Sequence, residues 1–226
     1  MLRMRALLTN DDGIDSPGLH ALARALGAVA DVTVVAPADN QSAVARGITI
    51  RGTLEVEDRD VAGAARAYAV SGTPVDCVRF AEATEPGPSF DLVVAGANLG
   101  LNLGDDVTYS GTVAAAMEGV LLDMPGLAVS QQSATGELHH TRDGEYRFDT
   151  AARIVAQKLL DLLLRRLVPA CAVVTAVSWA AACVAPPGAG DGGPAPDPAS
   201  SARLVERTYV TMGSELRLSA WTPDER

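Results

Sequence analysis

Three stretches of the chain repeat one pattern, a short apolar run that ends in a polar loop. Residues 5–9 run into Asn10, Asp11, Asp12 and Gly13; residues 31–37, rich in valine, run into Asp39, Asn40, Gln41 and Ser42; and residues 91–95 run into a loop carrying Asn98, Asn102, Asp105 and Asp106. Helical spacing follows the first loop, where Ser16 and Pro17 supply an N-cap and a first helical position for residues 17–29. Strands apolar on both faces, alternating with helices, predict an α/β fold with a mostly parallel sheet flanked by helices.

Between the second and third units, alternation from Ile48 to Glu57 predicts a half-exposed hairpin arm, and Thr73 with Pro74 opens a helix. Ser110, Gly111 and Thr112 lead into a further helix, residues 125–130 form a buried strand, and residues 149–166 form a long amphipathic helix with arginines at its end. A buried strand is expected over Cys171–Val177. Residues 186–201, PPGAGDGGPAPDPASS, are a low-complexity linker, and the residues after it supply two short strands.

Composition narrows this picture. With 226 residues, 48% hydrophobic and 20% charged, the chain is one globular domain or one domain with an appended segment. A net charge of -10 and no basic run longer than Arg165–Arg166 argue against nucleic acid and anionic membranes as partners. The three cysteines, Cys77, Cys171 and Cys183, are odd in number and lack CxxC spacing, which points to reduced thiols in a cytoplasmic protein. The N-terminus is a poor signal peptide. Residues 167–190 contain no charge and have the length of a membrane span, but their prolines and alanine-rich content favour a buried strand and loop.

The three polar loops would open on the carboxyl edge of a parallel sheet, where ligands bind near the reversal of strand order. Their donors are nearly all oxygen, and His20, His139 and His140 lie outside them, so zinc spacing is absent and Mg2+, Mn2+ or Ca2+ fits better. Alone, Asn-Asp-Asp-Gly reads as an ordinary turn. A divalent ion would offset the repulsion between Asp11 and Asp12 and give an acidic protein a way to hold phosphate. Ser-Gly-Thr occurs twice at helix starts: residues 71–73 read as an N-cap, whereas residues 110–112, beside the Asn and Asp loop, suit an anion.

In order and spacing, LLTNDDG, VVAPADNQSA, SGTPVDCV and DLVVAGANLGLNLGDDVTYSGTVAAAMEG resemble the stationary-phase survival protein E (SurE) family of metal-dependent nucleotidases. The resemblance covers about residues 5 to 130. It implies a Rossmann-like phosphatase acting on nucleoside 5'- and 3'-monophosphates, with one Mg2+ or Mn2+ per subunit, assembled as a homodimer or homotetramer. It places the metal on Asp11, Asp12, Ser42 and Asn98, and a phosphate pocket at Tyr109, Ser110, Gly111 and Thr112. Asp11 and Asp12 would also carry the catalysis, one of them as base or nucleophile, with Asn10 orienting the loop or the substrate. Two departures stand out. Around Ser42 the family carries arginine and a following glycine, where this chain has Asp39, Gln41 and Ala43. After Pro186 the family pattern is lost, so the chain divides into residues 1–185 and a divergent segment, 186–226.

Other readings fit less well. A dinucleotide-dependent oxidoreductase would want GxGxxG after the first strand, whereas Gly96, Gly100 and Gly104 recur every four residues near the third. A haloacid-dehalogenase-type phosphatase would separate its acidic residues by one position. A non-catalytic nucleotide or metal binder with a degenerate C-terminal part is the alternative from another class.

Overall fold

The computed structural model describes residues 3–84, 90–134 and 145–160 in full and residues 161–164, 202–211 and 214–223 as backbone. Among the described residues, eight strands and five helices follow in the order β1 (Arg5–Thr9), α1 (Pro17–Gly27), β2 (Asp31–Pro37), β3 (Val56–Arg59), β4 (Arg66–Val70), α2 (Pro74–Thr84), β5 (Leu92–Leu99), α3 (Asp106–Tyr109), α4 (Gly111–Leu121), β6 (Gly126–Gln131), α5 (Phe148–Leu164), β7 (Ala202–Thr211) and β8 (Ser214–Pro223). Six strands form one sheet in the order β3-β4-β2-β1-β5-β6, parallel except for the antiparallel edge strand β3. The expected α/β, Rossmann-like sheet is therefore present.

Successive residues of a strand face opposite sides, and β1 shows what that does here. Leu8 packs into a core with α1 and α5, whereas Leu7 packs into a second core with α2 and α4. Both leucines are fully buried, each contributing about 1.5–3 kcal/mol. The chain runs from β1 outward to β2 and β4, then returns to place β5 on the other side of β1. That return makes the β1/β5 boundary the switch point of the sheet.

The hairpin arm is shifted relative to the sequence expectation. The strand occupies only Val56–Arg59, all four residues exposed, and residues 48–55 are not extended into the sheet. Two features stop the arm. Gly52 turns with φ +115°, and Thr49 is tied to α2, its amide and hydroxyl donating to the Asp76 carboxylate at 2.9 and 2.7 Å. Ile50 is consequently 84% exposed, where alternation predicted half-burial.

Asp76 also accepts from the Thr73 amide at 2.9 Å, and the Thr73 hydroxyl donates to the Gly47 carbonyl at 2.8 Å. Ser71–Thr73 is thus a helix cap that anchors a loop, in keeping with its expected role. At the end of the chain, β7 and β8 pair as an antiparallel hairpin from Ala202 opposite Pro223 to Thr211 opposite Ser214. The strand expected over Cys171–Val177, the linker over 186–201 and the uncharged stretch 167–190 lie outside the described residues. No described helix is long and apolar enough to cross a membrane.

Burial pushes the Asp76 carboxyl up, but the hydrogen bonds from Thr49 and Thr73 outweigh it and leave the pKa below the ordinary carboxylate value. A carboxylate with a depressed native pKa stabilises fully above its unfolded pKa and loses that contribution as pH falls through the native value. Asp76→Ala should lower stability by about 1–2 kcal/mol at pH 7, and the gap from the parent should shrink at pH 3; urea unfolding at the two pH values measures it.

Candidate active site at the sheet switch point

The loop after β1 is held from beneath. Asn10 is fully buried and its Nδ2 donates to the Gly13 carbonyl at 2.8 Å and to Ser16 Oγ at 2.9 Å. Ser16 in turn caps α1 by accepting from the Leu19 amide. Gly13 makes the turn at φ +100°, close enough to Asp39 that a Cβ would stand 3.3 Å from its backbone carbon.

Asp11 points toward the start of α4. It is buried, and Thr112 Oγ1 donates to its Oδ1 at 2.5 Å. Burial raises its pKa; the Thr112 hydroxyl and amide and the Gly111 amide pull the other way without reversing the shift. The approach is close because residue 111 has no side chain: a Cβ there would lie 2.8 Å from Asp11 Cβ. Asp12, half-buried, accepts from the Leu99 amide at 3.0 Å, which links the β1 loop to the end of β5.

An irregularity in β5 aims Asn98. Against β6, Ala95 pairs with Ala128 and Asn98 with Ser130, so three steps on β5 oppose two on β6. Such a bulge re-aims the side chain that follows it. Gly96 permits it, with φ +132° and Val129 O only 2.3 Å from where a Cβ would be. Asn98 Nδ2 donates to the Gly100 carbonyl at 3.0 Å, leaving Oδ1 as the atom able to bind a cation.

The loop after β2 brings Ser42 over the same edge. The Gln41 amide donates to Asp11 O at 2.7 Å, and the Ser42 amide to Asn40 Oδ1 at 3.0 Å. From the other side, Ser110 caps α4 by accepting from the Val113 amide at 3.1 Å. An N-cap hydroxyl that accepts in this way keeps its own proton to donate. Tyr109 is 63% exposed at the rim, and its carbonyl accepts from the Ala45 amide.

These elements enclose a cleft of about 310 Å³ lined by Asp11, Asp12, Ser42, Asn98, Tyr109 and Ser110 among the residues expected from sequence. Asn10, Gly111 and Thr112 stand behind its wall and act on it through Asp11 and the loop. Asn40, Ala43, Leu99, Asn102 and Asp106 complete the lining. Asn102 is held by its Nδ2 donating to Ser130 Oγ at 2.7 Å. Asp106, exposed at the start of α3, also lines the cleft. The contact that sequence reasoning missed is Thr112 to Asp11: a Ser-Gly-Thr helix start signals donors, and only the fold shows that a carboxylate of the same chain receives them. Cys77 is inert by comparison, buried in the α2 core where desolvation pushes its thiol pKa up.

Sheet, switch point and cleft define a Rossmann-like α/β protein with a cleft beyond the carboxyl ends of β1, β2 and β5 that acidic, hydroxyl and amide side chains line. The family described as survival protein SurE matches residues 6–182. Relatives named 5'-nucleotidase SurE are 51% identical over 169 residues in Rubrobacter xylanophilus, covering 74% of this chain and 63% of the relative, and 46% identical over 169 residues in Deinococcus radiodurans, covering 74% and 60%. The crystal structure of the SurE protein from Aquifex aeolicus superimposes with a TM-score of 0.61 at 27% identity, covering 97% of this chain and 83% of that one. The chain belongs to the SurE family. Its matched part spans 63% and 60% of the two relatives' lengths.

The tight seat of Asp11 gives a direct test. Gly111→Ala forces a methyl against Asp11 Cβ and should destabilise the protein by about 1–3 kcal/mol, read from denaturant unfolding, although alanine is the better helix former.

Proposed function

We propose that the cleft binds one divalent cation per subunit, Mg2+ or Mn2+, and hydrolyses nucleoside 5'- and 3'-monophosphates to nucleoside and phosphate. The observation that carries this reading is the sign of the cleft. Asp11, Asp12 and Asp106 line it, and among the described lining residues there is no Lys, Arg or His. A phosphate monoester would be repelled unless a cation came with it. The donor set fits a hard ion, since residues bearing carboxylate, hydroxyl and amide oxygens line the cleft from the ends of three strands and the loops after them. Among the described residues no three His, Cys, Asp or Glu side chains cluster, so Ser42 and Asn98 would complete the set with Asp11 and Asp12. The names of the relatives support the nucleotidase reading.

When bound, the cation would neutralise the carboxylates, polarise the phosphoryl group and lower the pKa of water. The chain's own part follows from its geometry. Asp11, seated on α4, and Asp12, held by the Leu99 amide, would fix the phosphoryl group against the end of the sheet. Either carboxylate could take the proton of the attacking water. Ser110, which lines the cleft, would donate its hydroxyl and stabilise charge on an equatorial phosphoryl oxygen, a contact typically worth about 3–4 kcal/mol in such sites. Asn10 would keep the β1 loop in shape. Assembly as a homodimer or homotetramer in the cytoplasm belongs to the same reading.

Assays with 5'-AMP, 3'-AMP and an aryl phosphate, with and without Mn2+ or Mg2+, test it. Turnover should require the added cation and fall on the order of 100-fold or more in Asp12→Asn, since losing a direct ligand should cost at least as much as losing its supporting partner. Tight nucleotide binding with no turnover would overturn the hydrolase reading in favour of a non-catalytic binder.

A further inference from the structure

One charge sits inside the apolar helix α4. Glu118 is fully buried, and two arginines reach it from different elements. Arg46, in the loop after β2, places Nη2 2.7 Å and Nε 3.2 Å from Oε2. Arg79, on α2, places Nη2 2.6 Å from Oε1, a charge contact without hydrogen-bond alignment. A carboxylate with no access to water is held in the folded state by such partners and is strongly unfavourable without them.

Arg46 also closes the loop that presents Ser42 to the cleft. Two residues of that loop, Ala43 at φ +62° and Ala45 at φ +53°, occupy the left-handed region, where a Cβ crowds the following carbonyl. Such backbone persists only where its surroundings over-determine it. Beyond its local turns the loop has three backbone ties, the Gln41 amide to Asp11 O, the Ala45 amide to Tyr109 O and the Ser42 amide to Asn40 Oδ1, and one side-chain tie at its far end, where the Thr73 hydroxyl donates to the Gly47 carbonyl. The α4 helix thus holds Asp11 at its first turn and, two turns later, the Ser42 loop through Glu118.

We propose that Arg46, paired with Glu118, is a positioning residue that clamps the strained Ser42 loop onto α4 and sets Ser42 against Asp11 and Asp12 for cation binding. The inference rests on the divalent-cation reading of the cleft. Arg79 provides the internal control, because it shares Glu118 but reaches it from α2 and not from the Ser42 loop.

The test compares the full chain with Arg46→Ala, Arg46→Lys and Arg79→Ala, by calorimetric titration with Mn2+ alone and by amide hydrogen exchange without metal. Arg46→Ala should weaken Mn2+ binding about tenfold or more and speed exchange at residues 41–47, and Arg46→Lys, which keeps a charge within reach of Glu118, should recover part of both. Arg79→Ala should lower the melting temperature while leaving Mn2+ affinity and loop exchange near the parent's values. Unchanged affinity and exchange in Arg46→Ala, or equal losses in Arg79→Ala, would overturn the clamp. A parent chain that takes up no Mn2+ would sink the cation reading instead, and the exchange contrast between the two arginine variants would still decide the clamp.

Discussion

The architecture around the cleft depends on one close approach, the seating of the Asp11 carboxylate on the first turn of α4. A buried carboxylate is unfavourable unless donors meet it, and here the Thr112 hydroxyl with the amides of Gly111 and Thr112 does so. The helix dipole adds favourable charge at the same end. The contact needs a residue without a side chain at position 111, and it needs β1 next to β5 so that α4, returning toward β6, starts above Asp11. Strand order and site geometry are therefore two aspects of one constraint. If α4 moved, both the loop after β1 and the loop after β2 would lose their support.

Much of this was legible in the chain. The apolar runs over residues 5–9, 31–37 and 91–95 located three parallel strands, the third of which continues to Leu99; Ser16 located the start of α1 to the residue, and Ser110–Thr112 located the start of α4 to within two residues. Six of the expected site residues share one cleft because they follow strands of one sheet edge. The misplaced hairpin arm shows where alternation fails. Ile48, Thr49 and Ile50 alternate, but a buried aspartate 27 residues away captures Thr49, and a long-range hydrogen bond of that kind leaves no periodic trace. The bulge before Asn98 is similar: Gly96 was visible, but its reason, the Val129 carbonyl on the neighbouring strand, was not.

The departures around Ser42 take on a physical form in the structure. Ala43 stands where the resemblance expects glycine, and it adopts the left-handed backbone that glycine would take without strain. The chain has kept the loop's shape while losing its easiest residue, so something else must hold the shape. The arginine that the resemblance expects beside the serine is absent as well, and the cleft is left acidic. Both losses would increase the demand on the tie between Arg46 and Glu118 for geometry and, on the proposed reading, on a cation for charge.

This changes what the start of α4 can be asked to do. A free helix N-terminus would offer its amides to phosphate, and Ser-Gly-Thr at residues 110–112 invites that reading. In the folded chain the Thr112 hydroxyl donates to Asp11 and the Gly111 and Thr112 amides help to lower its pKa, while Ser110 is the residue of that stretch that lines the cleft. The positive end of the helix is then partly spent on an internal anion. A cation shared with Asp11 and Asp12 would restore the balance, drawing the carboxylates' charge onto itself and returning the net field at the cleft to one that accepts a phosphate. On the proposed reading the helix would hold Asp11 and Asp11 would help to hold the ion, so that helix and cation would not compete for the same substrate oxygen.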